Sequence, residues 1–102
     1  MSTIKKNPQT LEWQAMSRDH HLAPFSDYQQ LSDVGPRIIV KGRGVYVWDS
    51  EGNKILDGMA GLWCAAIGYG RDELADAASK QMKELPFYNT FFMTAHPPVL
   101  EL

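Results

Sequence analysis

The sequence predicts an α+β fold, with an N-terminal helix, a three-stranded antiparallel meander and a second long helix after it. Residues 37–57 hold three short runs rich in β-branched and aromatic side chains, parted by Gly42-Arg43-Gly44 and Ser50-Glu51-Gly52-Asn53. Glycine-bearing connections this short join antiparallel neighbours, since parallel strands need a long crossover. Leu74, Ala78, Met82 and Leu85 recur at helical spacing, which places an amphipathic helix downstream. The chain has 102 residues, 44% apolar and 22% charged, with net charge -2. That is one domain's worth at most, and too apolar for wholesale disorder.

The first helix is expected from Pro8 to Arg18. Asn7 can cap it, Pro8 suits its first turn, and Leu11 with Ala15 falls on a face that Trp13 and Met16 widen. His20 to Pro36 reads as a long irregular connection, with turn chemistry from Pro24, Ser26, Asp27, Ser32, Asp33, Gly35 and Pro36 and one short helical turn over Tyr28 to Leu31. Such an arm needs a larger body to lie on. Strands are expected at Arg37–Lys41, Val45–Asp49 and Lys54–Asp57. In the middle one Val45 and Val47 point one way, Tyr46 and Trp48 the other, so the sheet is expected to be buried on both faces.

The helix from Arg71 to Leu85 has Asp72, Glu73 and Asp76 early and Lys80 and Lys83 late, which complements its macrodipole, and Pro86 stops it. Phe87 to Met93 is expected to be an aromatic extended segment, and His96 to Leu102 the start of a further helix. The chain thus divides into 1–36, a helix and arm; 37–57, the meander; and 58–102, a glycine-rich loop, a helix and an aromatic segment.

Composition excludes several functions. The least polar stretch, Gly58 to Gly70, is 13 residues long and interrupted by four glycines, whereas a spanning helix needs about 20 apolar residues. Met1 to Thr10 contains Lys5 and Lys6 but no apolar run after them, so it lacks the middle of a secretory signal. The cytoplasm is the expected compartment. The slightly acidic balance argues against nucleic acid, and the single Cys64 excludes an internal disulfide or a multi-cysteine zinc site.

Motif searches narrow the field further. Asp49-Ser50-Glu51-Gly52-Asn53 has the look of a calcium loop, but Lys54 stands where that loop needs glycine, so it reads as a turn. Gly42-Arg43-Gly44 and Gly68-Tyr69-Gly70 lack the third glycine of a dinucleotide fingerprint and the ending of a phosphate loop. His20, His21 and His96 have no ligand spacing. Cys64 lacks a neighbouring base and reads as a small packing residue. Two segments remain, Gly58-Met59-Ala60-Gly61-Leu62-Trp63-Cys64 and Phe87-Tyr88-Asn89-Thr90-Phe91-Phe92, where large aromatics sit in loop-like sequence. Composition alone favours core or interface packing for Trp63, Phe91 and Phe92, with pocket lining as the alternative.

The stretch from Gly44 through Gly58, followed by Gly61-Leu62-Trp63-Cys64, closely resembles the N-terminal part of class III, pyridoxal-phosphate-dependent aminotransferases. Leu85-Pro86-Phe87-Tyr88-Asn89-Thr90-Phe91-Phe92 continues the likeness, and His21-Leu22-Ala23-Pro24-Phe25 directs it toward the omega-amino acid and amine:pyruvate branch, which includes putrescine:pyruvate enzymes. The resemblance implies the first portion of a fold type I transferase that works as a homodimer. It implies transfer of an amino group from an amine, diamine or omega-amino acid to a keto acid such as pyruvate, with pyridoxal 5'-phosphate as cofactor. The Schiff-base lysine, the Asp partner of the cofactor ring, the phosphate-binding segment and the carboxylate-binding arginine come later in that family, so no catalytic or cofactor-binding residue maps onto this chain. What carries over is substrate contact: Phe25, Leu62, Trp63 and Cys64 border the substrate, and Phe91 with Phe92 adds aromatic wall near the dimer interface.

Both lines lead to the expectation of an incomplete piece, inactive alone: a two-faced sheet without cover, an arm without support and a helix only begun. The competing expectation is a small noncatalytic α+β binding module that presents its aromatics to a partner.

Overall fold

The computed structural model describes residues 6–102; Lys5, part of the expected N-terminal arm, lies outside them. It contains two compact units, one ending at Gly70 and one running from Arg71 to Leu102.

The first unit begins with α1 (Pro8–His20). The Asn7 side chain accepts a hydrogen bond from Gln9 N at 3.0 Å, which supplies one orphan amide of the first turn with a partner. The helix runs two residues past the expected end. Its fixed contact is polar: Thr10, only 3% exposed, donates through Oγ1 to Ser50 Oγ at 2.6 Å, and Asn7 N donates to both Glu51 carboxylate oxygens at 3.1 Å. Leu11 and Met16, expected to face a core, are more than half exposed. The irregular connection contains α2 (Tyr28–Val34), longer than the single turn expected because Asp27 caps it, accepting from Gln29 N at 2.9 Å and Gln30 N at 3.2 Å. Gln14 Nε2 donates to Pro36 O at 2.8 Å and pins the returning arm to α1.

The meander is β1 (Ile39–Arg43), β2 (Tyr46–Asp49) and β3 (Lys54–Leu56), antiparallel in the order β1-β2-β3. Strand β1 is shifted two residues from the expected Arg37–Lys41. The register pairs Arg43 with Tyr46 and Gly42 with Val47, so Gly42 and Arg43 are strand and only Gly44-Val45 turns. Gly44, at φ +58°, takes the first central position of a two-residue hairpin turn, where a positive φ is needed. The ladder extends this far because it has an extra partner: Gly44 N donates to Tyr69 O at 2.8 Å and Tyr69 N to Gly44 O at 2.8 Å.

Asp49 anchors the next turn. It is 6% exposed and accepts from Asn53 N at 2.9 Å, Glu51 N at 3.1 Å and Asn53 Nδ2 at 3.0 Å. Those bonds, the Asn53 side chain foremost, hold its carboxyl below the usual carboxylate range. Neither sheet face is buried as expected: Val45 on one and Tyr46 on the other are both exposed. Lys41 and Lys54 both pair with Trp48 across the strands, and their ammonium groups lie 5.0 and 5.7 Å from its ring centre.

The second unit holds α4 (Asp72–Glu84) and α5 (Pro97–Glu101), with a one-turn α3 (Ala60–Trp63) preceding them in the first unit. Leu85 ends α4 in extended backbone, as the following Pro86 requires. Residues 87–93 form no strand. Thr94 Oγ1 lies 2.7 Å from Asn89 Oδ1 and 2.6 Å from Phe91 O, and these bonds curl the segment, with Phe92 and Met93 at φ +56° and +61°. Among the described residues no hydrophobic side chain is buried.

Candidate functional site

The loop after β3 is where backbone and side chains depart furthest from regular structure. Asp57 closes β3 by donating its amide to Val45 O at 2.9 Å. Its Oδ1 then accepts from Met59 N at 3.1 Å and Ala60 N at 3.0 Å, so the carboxylate caps the turn that follows. Ala60, Gly61, Leu62 and Trp63 all have positive φ, at 52°, 57°, 60° and 70°. Glycine enters this left-handed region freely; an L-residue there costs about 1–2 kcal/mol. Three of these four residues carry a Cβ, so surrounding contacts must over-determine the turn.

Those contacts converge on Asp57. Its Oδ2 accepts from the Tyr69 hydroxyl at 2.5 Å. This bond, with the amides of Met59, Ala60 and Gly61, holds the Asp57 carboxyl below its ordinary range; the same bond raises the phenol of Tyr69. Tyr69 is fixed in turn by its paired bonds to Gly44, and its ring lies against Gly42, where an added Cβ would come within 2.8 Å of Cγ. That close approach is why residue 42 is glycine.

The turn projects Leu62 at 57% exposure and Trp63 at 90%, with Cys64 also exposed. Cys64 is therefore not the packing residue that its local sequence suggested: its Sγ lies 3.4 Å from Leu62 O and faces out. Nor are Trp63, Phe91 and Phe92 core residues of this chain, since Phe91 is 61% and Phe92 87% exposed. Phe91 and Phe92 meet edge to face, with ring centres 4.8 Å apart, in the second unit. Phe25, fully exposed at φ +50°, borders a depression with Ser26, Asp27, Gln30 and Leu31 whose lining includes no residue of the α3 turn. Leu62, Trp63 and Cys64 are thus assembled on one turn, and Phe25 stands apart from that turn on the rim of its own depression.

Asp57 and Tyr69 were not singled out by sequence. Asp57 reads as the end of a strand, and Tyr69 as the middle of a weak glycine pair. The available signal was that pair: Gly68 and Gly70 both have positive φ, 83° and 68°, and bracket an aromatic residue that the backbone must place closely.

The described residues offer no set that fits pyridoxal phosphate. Lys41 and Lys54 lie over aromatic rings of the sheet, and Lys6 Nζ donates to Val34 O at 2.8 Å and Gln14 Oε1 at 3.1 Å. Lys80 and Lys83 sit on an exposed helix. No group of three metal-ligating side chains occurs among the described residues.

Solved transaminase structures share this architecture over part of their length. The structure matches an (S)-enantioselective omega-transaminase from Thermomicrobium roseum with a TM-score of 0.83 and 46% identity, covering 95% of this chain and 22% of that one. It matches the Pseudomonas jessenii omega transaminase in complex with PMP at a TM-score of 0.76 and 37% identity, over 85% of this chain and 19% of that one. In sequence, all 102 residues align at 71% identity with the putrescine–pyruvate aminotransferase of Pseudomonas aeruginosa and span 22% of its length. The family Aminotransferase class-III matches residues 28–101. The chain belongs to the class III aminotransferases, a pyridoxal-phosphate-dependent family, and spans about a fifth of the length of the relatives it matches.

Proposed function

We propose that this chain is the N-terminal portion of an enzyme that moves an amino group from an amine, diamine or omega-amino acid to a keto acid such as pyruvate, using pyridoxal 5'-phosphate. The observation that carries this reading is the exposed Leu62-Trp63-Cys64 turn, with Leu62 and Trp63 held in left-handed backbone, within a chain 71% identical to a putrescine–pyruvate aminotransferase. A protein does not hold a large aromatic out in strained backbone for its own packing.

In this reading Trp63, with Leu62, Cys64 and Phe25, forms wall against the amine, and Phe91 and Phe92 add wall near a homodimer interface. Residues 1–36 serve as N-terminal helix and arm, 37–57 as the meander, and 58–102 as the pocket loop, helix and aromatic segment. The loop from Gly58 to Cys64 carries no charged residue, which suits the methylene chain of an amine better than a second charged group. Lysine, phosphate site and carboxylate-binding arginine are supplied by later parts of the enzyme. The cytoplasm is the proposed compartment; among the described residues no helix is long and apolar enough to cross a membrane. A self-contained binding module is disfavoured by the lack of any buried hydrophobic side chain among the described residues.

The test is the full-length aminotransferase carrying residues 1–102, assayed with putrescine and pyruvate. Formation of alanine, dependent on added pyridoxal phosphate, is expected. Failure with a panel of amines, diamines and omega-amino acids against several keto acids would refute the reading.

A further inference from the structure

We infer that Asp57 and Tyr69 are positioning residues for amine recognition: their carboxylate–phenol hydrogen bond holds the left-handed α3 turn closed, so that Trp63 stands where the substrate chain must pass. The inference rests on the proposed function and extends it to two residues that themselves lie outside the pocket wall.

The geometry is a clamp with a rigid side and a strained side. On the rigid side Tyr69 is bonded twice to Gly44 at 2.8 Å and packed on Gly42, so its hydroxyl is carried by the β1-β2 hairpin. Asp57 is tied to the same hairpin through the carbonyl of Val45 in its turn. On the strained side are Ala60 to Trp63, four consecutive residues at positive φ. One carboxylate joins the two, accepting from Tyr69 through Oδ2 and from the first amides of the turn through Oδ1. Gly61 passes directly over the phenol, where an added Cβ would lie 3.3 Å from the hydroxyl oxygen. The remaining hydrogen bonds of the turn are internal, from Leu62, Trp63, Cys64 and Ala65 back to Met59 and Ala60, and internal bonds shape a turn without fixing where it points. Removing the phenol oxygen frees one carboxylate oxygen while keeping the ring on Gly42, so the sheet survives and the aim of Trp63 is lost.

Tyr69→Phe, Trp63→Ala and the double variant of the full-length enzyme carrying this segment form the test. Tyr69→Phe should raise KM for a diamine about 5- to 20-fold with kcat changed less than threefold, and leave KM for pyruvate unaltered. In the Trp63→Ala background the same substitution should change KM for the diamine less than twofold, because the side chain being aimed is gone. An equal effect of Tyr69→Phe with and without Trp63, or an equal rise in both substrates' KM, overturns the inference and leaves the proposed function standing. Absence of transamination by the parent enzyme overturns the proposed function, and the inference with it. Asp57→Asn keeps the shape and weakens the charge-assisted bonds; it should reproduce the Tyr69→Phe pattern, and a general loss of folded enzyme without selective KM change would count against positioning.

Discussion

Residues 1–102 expressed alone should fail to form a stable monomer, and the size of the deficit can be worked from the surface. In the first unit Leu56, Met59 and Ile67 are 64%, 67% and 58% exposed, and fully burying an aliphatic side chain of that size is worth about 1.5–3 kcal/mol. Left about two-thirds exposed, the three together forgo about 3–6 kcal/mol, which is of the order of the net stability of a typical domain, about 5–15 kcal/mol. In the second unit Met82, 66% exposed, adds to the deficit. The purified segment should show a broad, non-cooperative loss of far-UV ellipticity on heating, bind a hydrophobic dye at room temperature, and associate on size-exclusion with light scattering. A monodisperse monomer with a sharp two-state melt and no dye binding would refute the reasoning, because it would mean that these faces need no cover.

The isolated segment should also neither transaminate putrescine nor bind pyridoxal phosphate saturably; turnover with defined stoichiometric binding would contradict the absence of a fitting residue set. In the full-length enzyme, Trp63→Ala should shift kcat/KM between slender and bulky amines by about 10- to 100-fold while cofactor retention on gel filtration stays unchanged; equal losses of both would rule out a wall role. Thr10→Val leaves Ser50 without its 2.6 Å partner in a buried contact and should lower stability by about 1–3 kcal/mol without changing kinetic constants, as read by denaturant midpoints. Asp49 titrates below its ordinary value of 3.8. A depressed folded pKa contributes stability that is present above that value and lost as pH falls through the folded pKa. Asn53→Ala, which removes the largest cause of the depression, should therefore move the acid unfolding midpoint upward; an unchanged midpoint would contradict the assignment.

Elements whose cause is local were legible in the sequence. Asn7-Pro8 begins α1 with its own side chain and ring, Pro86 forbids continuation of α4, and glycine-bearing turns cut the meander into three strands, whereas the cap that Asp27 gives α2 was read only as a turn. The register of β1 was not legible, because Gly44, just past its end, is bonded to Tyr69, which follows it by more than twenty positions. The curl of Phe87 to Met93 was missed because Asn89 and Thr94 bond across it, overriding the extended preference of its aromatics. Leu62, Trp63 and Cys64, the proposed wall, stood out in sequence as an odd cluster, but composition favoured burial for Trp63, and the outward course of the cluster is set by the left-handed turn.

By itself, then, the order of residues determined the two long helices and the meander, since capping, chain reversal and apolar spacing act within a few positions, while the family was legible only through the likeness of its motifs. Only the tertiary structure decided that Asp57 and Tyr69 meet, that Gly42 must lack a side chain, and that Trp63 faces outward. Each of these depends on the distance between groups far apart in the chain, and the folding of a sheet sets that distance.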